Sequence, residues 1–134
     1  MAYKYDNEAR YTETHEWVRL EEEEAVCGIS DYAQHALSDV VYVEMPEVGE
    51  TYAKGDPVAV VESVKAAEDV FMPMSGTITA INERLEDEAE LVNQDPYGEG
   101  WFFRFRPENR REFESLMDVA AYEQHVAAEE AAEH

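Results

Sequence analysis

Apolar residues in this chain come in short runs broken by turn-forming or acidic stretches. Residues 15–20 and 24–29 form two such runs around Glu21-Glu22-Glu23-Glu24. The pattern predicts two strands joined by a solvated glutamate turn. Ser30-Asp31-Tyr32-Ala33-Gln34 opens a short helix near 31–37, where Asp31 is placed to cap it and Gln34 to complete a capping box. Val40-Val41-Tyr42-Val43-Glu44-Met45 is rich in β-branched and aromatic residues and reads as a strand ended by Pro46. Gly49 and Gly55 mark turns, and residues 57–63 and 67–72 read as the two arms of a hairpin. A strand over 77–82 follows Gly76, and residues 90–92 and 101–106 supply the last extended pieces.

After Pro107 the period changes. Asn109 can cap a helix with Glu112 three residues on, and Phe113, Leu116, Met117 and Ala120 recur at helical spacing. The expectation is a C-terminal helix over about 109–127 and an acidic tail, 128–134, that frays. Many short strands without a βαβ rhythm indicate a mainly β sandwich or barrel. One domain over 1–134, with its core over about 11–107, accounts for the whole chain.

Charge narrows the function classes. A net charge of −22 excludes the basic footprint of a nucleic-acid binder. With so few lysines, it also points to a protein adapted to high salt, where ions screen the self-repulsion. No apolar stretch approaches a membrane span. Met1-Ala2-Tyr3-Lys4-Tyr5-Asp6 lacks a secretory apolar region and contains acid, so a cytoplasmic location is expected. Cys27 is the single cysteine and lies in an apolar run, which suits a buried core residue. Dithiol–disulfide cycling would therefore need the sulfurs of a cofactor.

No catalytic constellation is legible. His15, His35, His125 and His134 show no metal-ligand spacing with one another or with a cysteine, so no metal site is expected. Gly-x-Ser-x-Gly is absent, and Gly98-Glu99-Gly100 lacks the lysine of a phosphate loop. Lys65 differs from these because of its context. It falls at the tip of the 57–72 hairpin, where a lone ammonium is exposed to a modifying enzyme.

The segment Glu62-Ser63-Val64-Lys65-Ala66 resembles the lipoyl-attachment region of the H-protein family of the glycine cleavage system. Biotin domains usually carry Met-Lys-Met at this turn, and lipoyl domains of 2-oxo acid dehydrogenases Asp-Lys-Ala. The likeness extends through His15-Glu16-Trp17-Val18, Gly28-Ile29-Ser30-Asp31, Val40-Val41-Tyr42-Val43-Glu44-Met45-Pro46, Glu90-Leu91-Val92-Asn93 and Asp95-Pro96-Tyr97-Gly98. The resemblance implies a barrel-sandwich hybrid with a helix packed on it. It implies a non-catalytic carrier with lipoate joined by an amide to Lys65. The implied partners are a glycine decarboxylase (P protein), an aminomethyltransferase (T protein), a dihydrolipoyl dehydrogenase (L protein) and a lipoate ligase or transferase. The arm would shuttle the aminomethyl group of glycine among them. The resemblance also implies a resting cleft for the loaded arm, with Thr14, Glu16 and Asp69 in its wall. Glu68, Ala89, Met72 and Met74 depart from the usual pattern, and Glu68, near the lysine, leaves the attachment enzyme open. A lipoate relay protein, or an interaction module with Lys65 unmodified, remain alternatives.

Overall fold

The computed structural model describes residues 2–132. Among them nine strands form two antiparallel sheets. Strands β1 (Arg10–Tyr11), β2 (Glu16–Glu21), β3 (Glu24–Ile29), β5 (Thr51–Tyr52), β8 (Gly76–Ile81) and β9 (Phe103–Pro107) make a six-stranded sheet in the order β1-β2-β3-β9-β8-β5. Strands β4 (Val40–Glu44), β6 (Pro57–Ser63) and β7 (Ala67–Phe71) make a three-stranded sheet in the order β4-β6-β7. This is the barrel-sandwich hybrid that the resemblance implied.

The six-stranded sheet is buried on both faces around β2 and β3, which explains why these strands read as continuous apolar runs rather than alternating ones. Val18 and Cys27 point into a core shared with Val43, Val61 and Val70 of the other sheet and with Met72, Met74, Ile78, Phe103 and Phe105. Their neighbours Trp17 and Val26 point the other way, into a second cluster with Tyr11, Tyr32, Tyr122 and Val126. Tyr11 and Tyr122 stack there with ring centroids 4.2 Å apart. Gly28 is required by a close approach: a Cβ at that position would stand 2.8 Å from the Trp17 indole nitrogen. The indole N–H donates to the Pro96 carbonyl at 2.9 Å.

The glutamate turn forms as expected, with Glu21 opposite Glu24 and Glu22 at φ 58. Its charge is partly offset, because the Glu21 carboxylate accepts from Arg19 and Arg104, both at 3.0 Å.

Five expectations are corrected. Ser30, not Asp31, caps helix α1 (Asp31–Leu37): its backbone is extended and its hydroxyl oxygen accepts from the Ala33 N–H at 3.2 Å. Asp31 is buried instead, accepting from the Lys4 backbone N–H at 2.8 Å and from the Gln34 amide at 2.7 Å. Residues 90–92 are not extended; helix α2 (Leu91–Gln94) occupies this stretch and buries Val92. Its Asn93 side chain accepts from the β4 N–H of Val40 at 2.9 Å.

The segment after Pro107 is not one helix over 109–127. Asn109 caps a 3-10 helix, Arg110–Ser115, and the chain then becomes extended at Leu116. Met117 bridges Tyr11 through two backbone bonds of 2.9 and 3.0 Å. Only then does helix α3 (Val119–Ala132) begin. The pairing with β1 claims the backbone groups that a continuous helix would use. Glu112 completes no capping box, because its carboxylate accepts from the Ser75 N–H at 3.0 Å. Residues 128–132 are helical rather than a frayed tail, with Glu129 bonded to His15 and Glu130 to Tyr3. Residues 133 and 134 of the expected tail lie outside the described residues.

Candidate functional site: a lysine turn beside a cleft

β6 and β7 form a hairpin whose last facing pair is Glu62 and Ala67. The connecting turn is closed by Ser63. Its N–H donates to the Ala66 carbonyl at 2.8 Å. Its hydroxyl oxygen accepts from the Lys65 N–H at 3.1 Å and from the Ala66 N–H at 3.0 Å. One small polar side chain therefore fixes the backbone on both sides of the lysine. The Val64 N–H donates to the Asp39 carbonyl at 3.0 Å, tying the turn to the chain that follows α1. The Val64 side chain is 69% exposed, and Lys65 and Ala66 are exposed beside it. Among the described residues Lys65 Nζ makes a single bond, donating to the Ala36 carbonyl in the last turn of α1 at 3.2 Å. Helix C-terminal carbonyls favour a cation, but this bond is exposed and easily exchanged for water.

A cleft of about 460 Å³ opens beneath the turn. One wall is β7 and the turn, with Lys65, Ala66, Glu68 and Asp69. Tyr32, Ala33 and Ala36 of α1 form a second wall, and residues 13–16, with Glu129 of α3, form the third. Ile29, Leu37, Val61, Val70 and Phe71 make its floor apolar. Thr14, Glu16, Asp69 and Lys65 thus share one cavity although they come from distant parts of the chain. Glu62 is exposed and does not line it.

Glu16 is only 1% exposed. One carboxylate oxygen accepts from the hydroxyls of Thr12 and Thr14, and the other from the Phe71 N–H at 3.1 Å. Burial pushes its pKa up, while these donors pull in the opposite direction. The carboxylate therefore joins the start of β2 to the end of β7 as well as facing the cleft. Asp69 is exposed on β7, and Thr14 is exposed on the turn before β2.

The sequence pattern missed His15, Tyr32, Tyr122, His125 and Glu129 as neighbours of this cleft. His15 Nδ1 lies 2.7 Å from the Tyr122 hydroxyl and Nε2 lies 2.8 Å from Glu129. His15 and His125, unrelated by spacing, have ring centroids 5.4 Å apart, so the lack of ligand spacing was no guide to which histidines meet. Cys27 is fully buried, and burial pushes its thiol up, which makes it an inert core residue.

An antiparallel barrel-sandwich with a cleft beside an exposed hairpin turn is the architecture of a carrier domain. The chain belongs to the glycine cleavage H-protein family, whose model matches residues 9–129. The glycine cleavage system H protein of Psychrobacter sp. is 55% identical over 118 residues, covering 87% of this chain and 94% of that protein. The glycine cleavage system H protein of Thermus thermophilus is 52% identical over 119 residues, covering 89% and 93%. The crystal structure of the glycine cleavage system H protein from Mycobacterium marinum superposes with a TM-score of 0.82 at 32% identity, covering 88% of this chain and 95% of that one. The family's role is that of a lipoyl carrier in glycine cleavage, and the chain is a non-catalytic component of that system. Among the described residues no helix is long and apolar enough to cross a membrane.

Proposed function

We propose that lipoate is joined by an amide to Lys65 Nζ and that this turn is where the carrier meets its enzymes. The observation that carries this reading is the Ser63-closed turn, which holds Lys65 exposed at the mouth of the cleft. The residues present fit the group. Ala66 and Ala67 leave the approach to Nζ open, and the amine has one weak bond to give up. Lys54, by contrast, bonds the Ser115 hydroxyl at 3.2 Å on another face. When attached, lipoate supplies the dithiolane chemistry that accepts the aminomethyl group of glycine and is later reoxidised.

The chain's own residues position and shelter the arm. The rigid turn sets its pivot, and tethering gives an effective concentration of roughly millimolar order at docked sites. The apolar floor and small α1 residues of the cleft exclude water from a resting arm. Asp69, Thr14 and Glu16 supply polar contacts for an aminomethyl nitrogen. The partners in this reading are glycine decarboxylase, aminomethyltransferase and dihydrolipoyl dehydrogenase, with a lipoate ligase or transferase for attachment, in the cytoplasm.

Intact mass of protein isolated from its native host, followed by peptide fragmentation, tests the site. One lipoyl amide on Lys65 is expected; a lipoyl group on Lys4 or Lys54 would refute the assignment. Failure of purified decarboxylase to load the lipoylated protein would favour a lipoate relay instead.

A further inference from the structure

Helix α3 crosses the turn between β1 and β2, and three potential ligand side chains meet where the two touch. His15 Nε2 is 2.8 Å from one Glu129 oxygen, and His125 Nε2 is 3.2 Å from the other. The Glu13 carbonyl oxygen lies 2.9 Å from that same His125 nitrogen. The ligand atoms of His15, His125 and Glu129 all fall within 4.8 Å of one another. Zinc–ligand bonds of about 2.0–2.1 Å in a tetrahedron put ligand atoms roughly 3.3 Å apart. The tightest pair, at 2.8 Å, would need to open by about half an ångström, and a pair at the 4.8 Å limit would need to close by about 1.5 Å.

We propose that His15, His125 and Glu129 form a binding site for one divalent transition-metal ion of the zinc class, clamping α3 to the cleft rim. Two imidazoles and a carboxylate are a donor set that zinc accepts, whereas magnesium and calcium favour all-oxygen sites. His125 and Glu129 are one helical turn apart on the same face of α3. His15 is held at φ 75, a conformation uncommon for a residue with a side chain, and the ring it presents is partly buried.

The surroundings also supply the outer contacts that a metal-bound histidine uses. His15 Nδ1 is 2.7 Å from the Tyr122 hydroxyl, which is 2.6 Å from the Ser30 hydroxyl. With Nε2 on the ion, Nδ1–H donates to Tyr122 and the Tyr122 O–H donates to Ser30. Without it the chain reverses: Ser30 donates to Tyr122, Tyr122 to Nδ1, and Nε2–H to Glu129. Both states satisfy the buried hydroxyl of Tyr122, so binding moves the His15 proton from Nε2 to Nδ1, with no net proton release from the ring and no rebuilding of the packing. His15 and Glu129 line the cleft, so the cluster borders it.

The test uses the full-length, unlipoylated, metal-stripped chain. Zinc chloride is titrated calorimetrically against magnesium at equal ionic strength, with cobalt as a spectroscopic probe. The expected result is one saturable zinc site, visible-region cobalt bands of four-coordinate intensity, and a higher melting temperature with zinc than with magnesium. Glu129→Gln and His125→Ala should each abolish the stoichiometric site, and His35→Ala should leave it intact. Tyr122→Phe should weaken binding roughly 10–100-fold by removing the outer contact. No saturable zinc binding would overturn the proposal. So would a site that persists in both Glu129→Gln and His125→Ala, since the ion would then sit on surface carboxylates. Glu129→Gln keeps the proposal testable if His125→Ala fails to fold.

Discussion

Replacing Glu16 with alanine separates two roles that this side chain combines. The carboxylate is buried, and it accepts two hydroxyls and the Phe71 N–H. In Glu16→Ala the Thr14 hydroxyl, on an exposed residue, can turn to water. The Phe71 N–H, at the end of β7, loses its charged acceptor, a loss of about 1.5–3 kcal/mol. Relief of the carboxylate's desolvation, the main cause of its raised pKa, offsets part of this. A net loss of about 2 kcal/mol is expected, which at about 4 °C per kcal/mol for a domain of this size lowers the melting temperature by about 8 °C. Glu16→Gln retains an amide oxygen for Phe71 and should cost less than about 1 kcal/mol. Thermal melts by circular dichroism measure both. The aminomethyl-loaded proteins are then timed for non-enzymatic decay with partner enzymes removed. If the negative charge shelters the arm, Ala and Gln variants should both lose the group faster, although only Ala is markedly destabilised. A melting temperature for Glu16→Ala within about 1 °C of the parent would refute the structural role. Equal decay in all three proteins would refute the sheltering role.

Three further outcomes are expected. Lys65→Arg should melt within about 1 °C of the parent, because its one exposed bond to Ala36 contributes little. It should carry no lipoyl group by intact mass, and turnover in a reconstituted glycine cleavage system would contradict the carrier site. The melting temperature should climb as potassium chloride is added from low to moderate concentration, because ions screen a net charge of −22; a flat or falling series would count against salt adaptation. Burial pushes Tyr11 up to about 12 and raises Tyr97 as well. The folded state therefore holds these protons more tightly than the unfolded chain. Their contribution is intact below about pH 10 and is lost as pH rises toward the folded value. Absorbance at 295 nm should show them resisting ionisation until the fold is lost; titration of all 8 tyrosines near pH 10 with circular dichroism unchanged would contradict this.

The lysine hairpin was legible because everything that makes it is local. The facing pair Glu62 and Ala67 flanks four residues, and Ser63 closes the turn on its own neighbours. The strands around the glutamate turn were legible for the same reason. Short-range choices between equivalent options were not. Ser30 and Asp31 are both good caps, and the choice fell to Ser30 because Asp31 is claimed by Lys4 and Gln34. Residues 90–92 are too short for periodicity to separate helix from strand, and the Asn93 bond to Val40 belongs to the helical answer. Helical spacing of Phe113, Leu116 and Met117 gave way to a backbone bridge with Tyr11 from the other end of the chain. The sequence by itself determined the class of fold and the lysine hairpin with its turn, since those depend on neighbours in the chain. Only the tertiary structure decided that Glu16 is a buried strut and that α3 brings His125 and Glu129 to His15. Those contacts join segments 55 residues apart for Glu16 and Phe71 and 114 apart for His15 and Glu129, and no period or spacing encodes which distant side chains share a cavity.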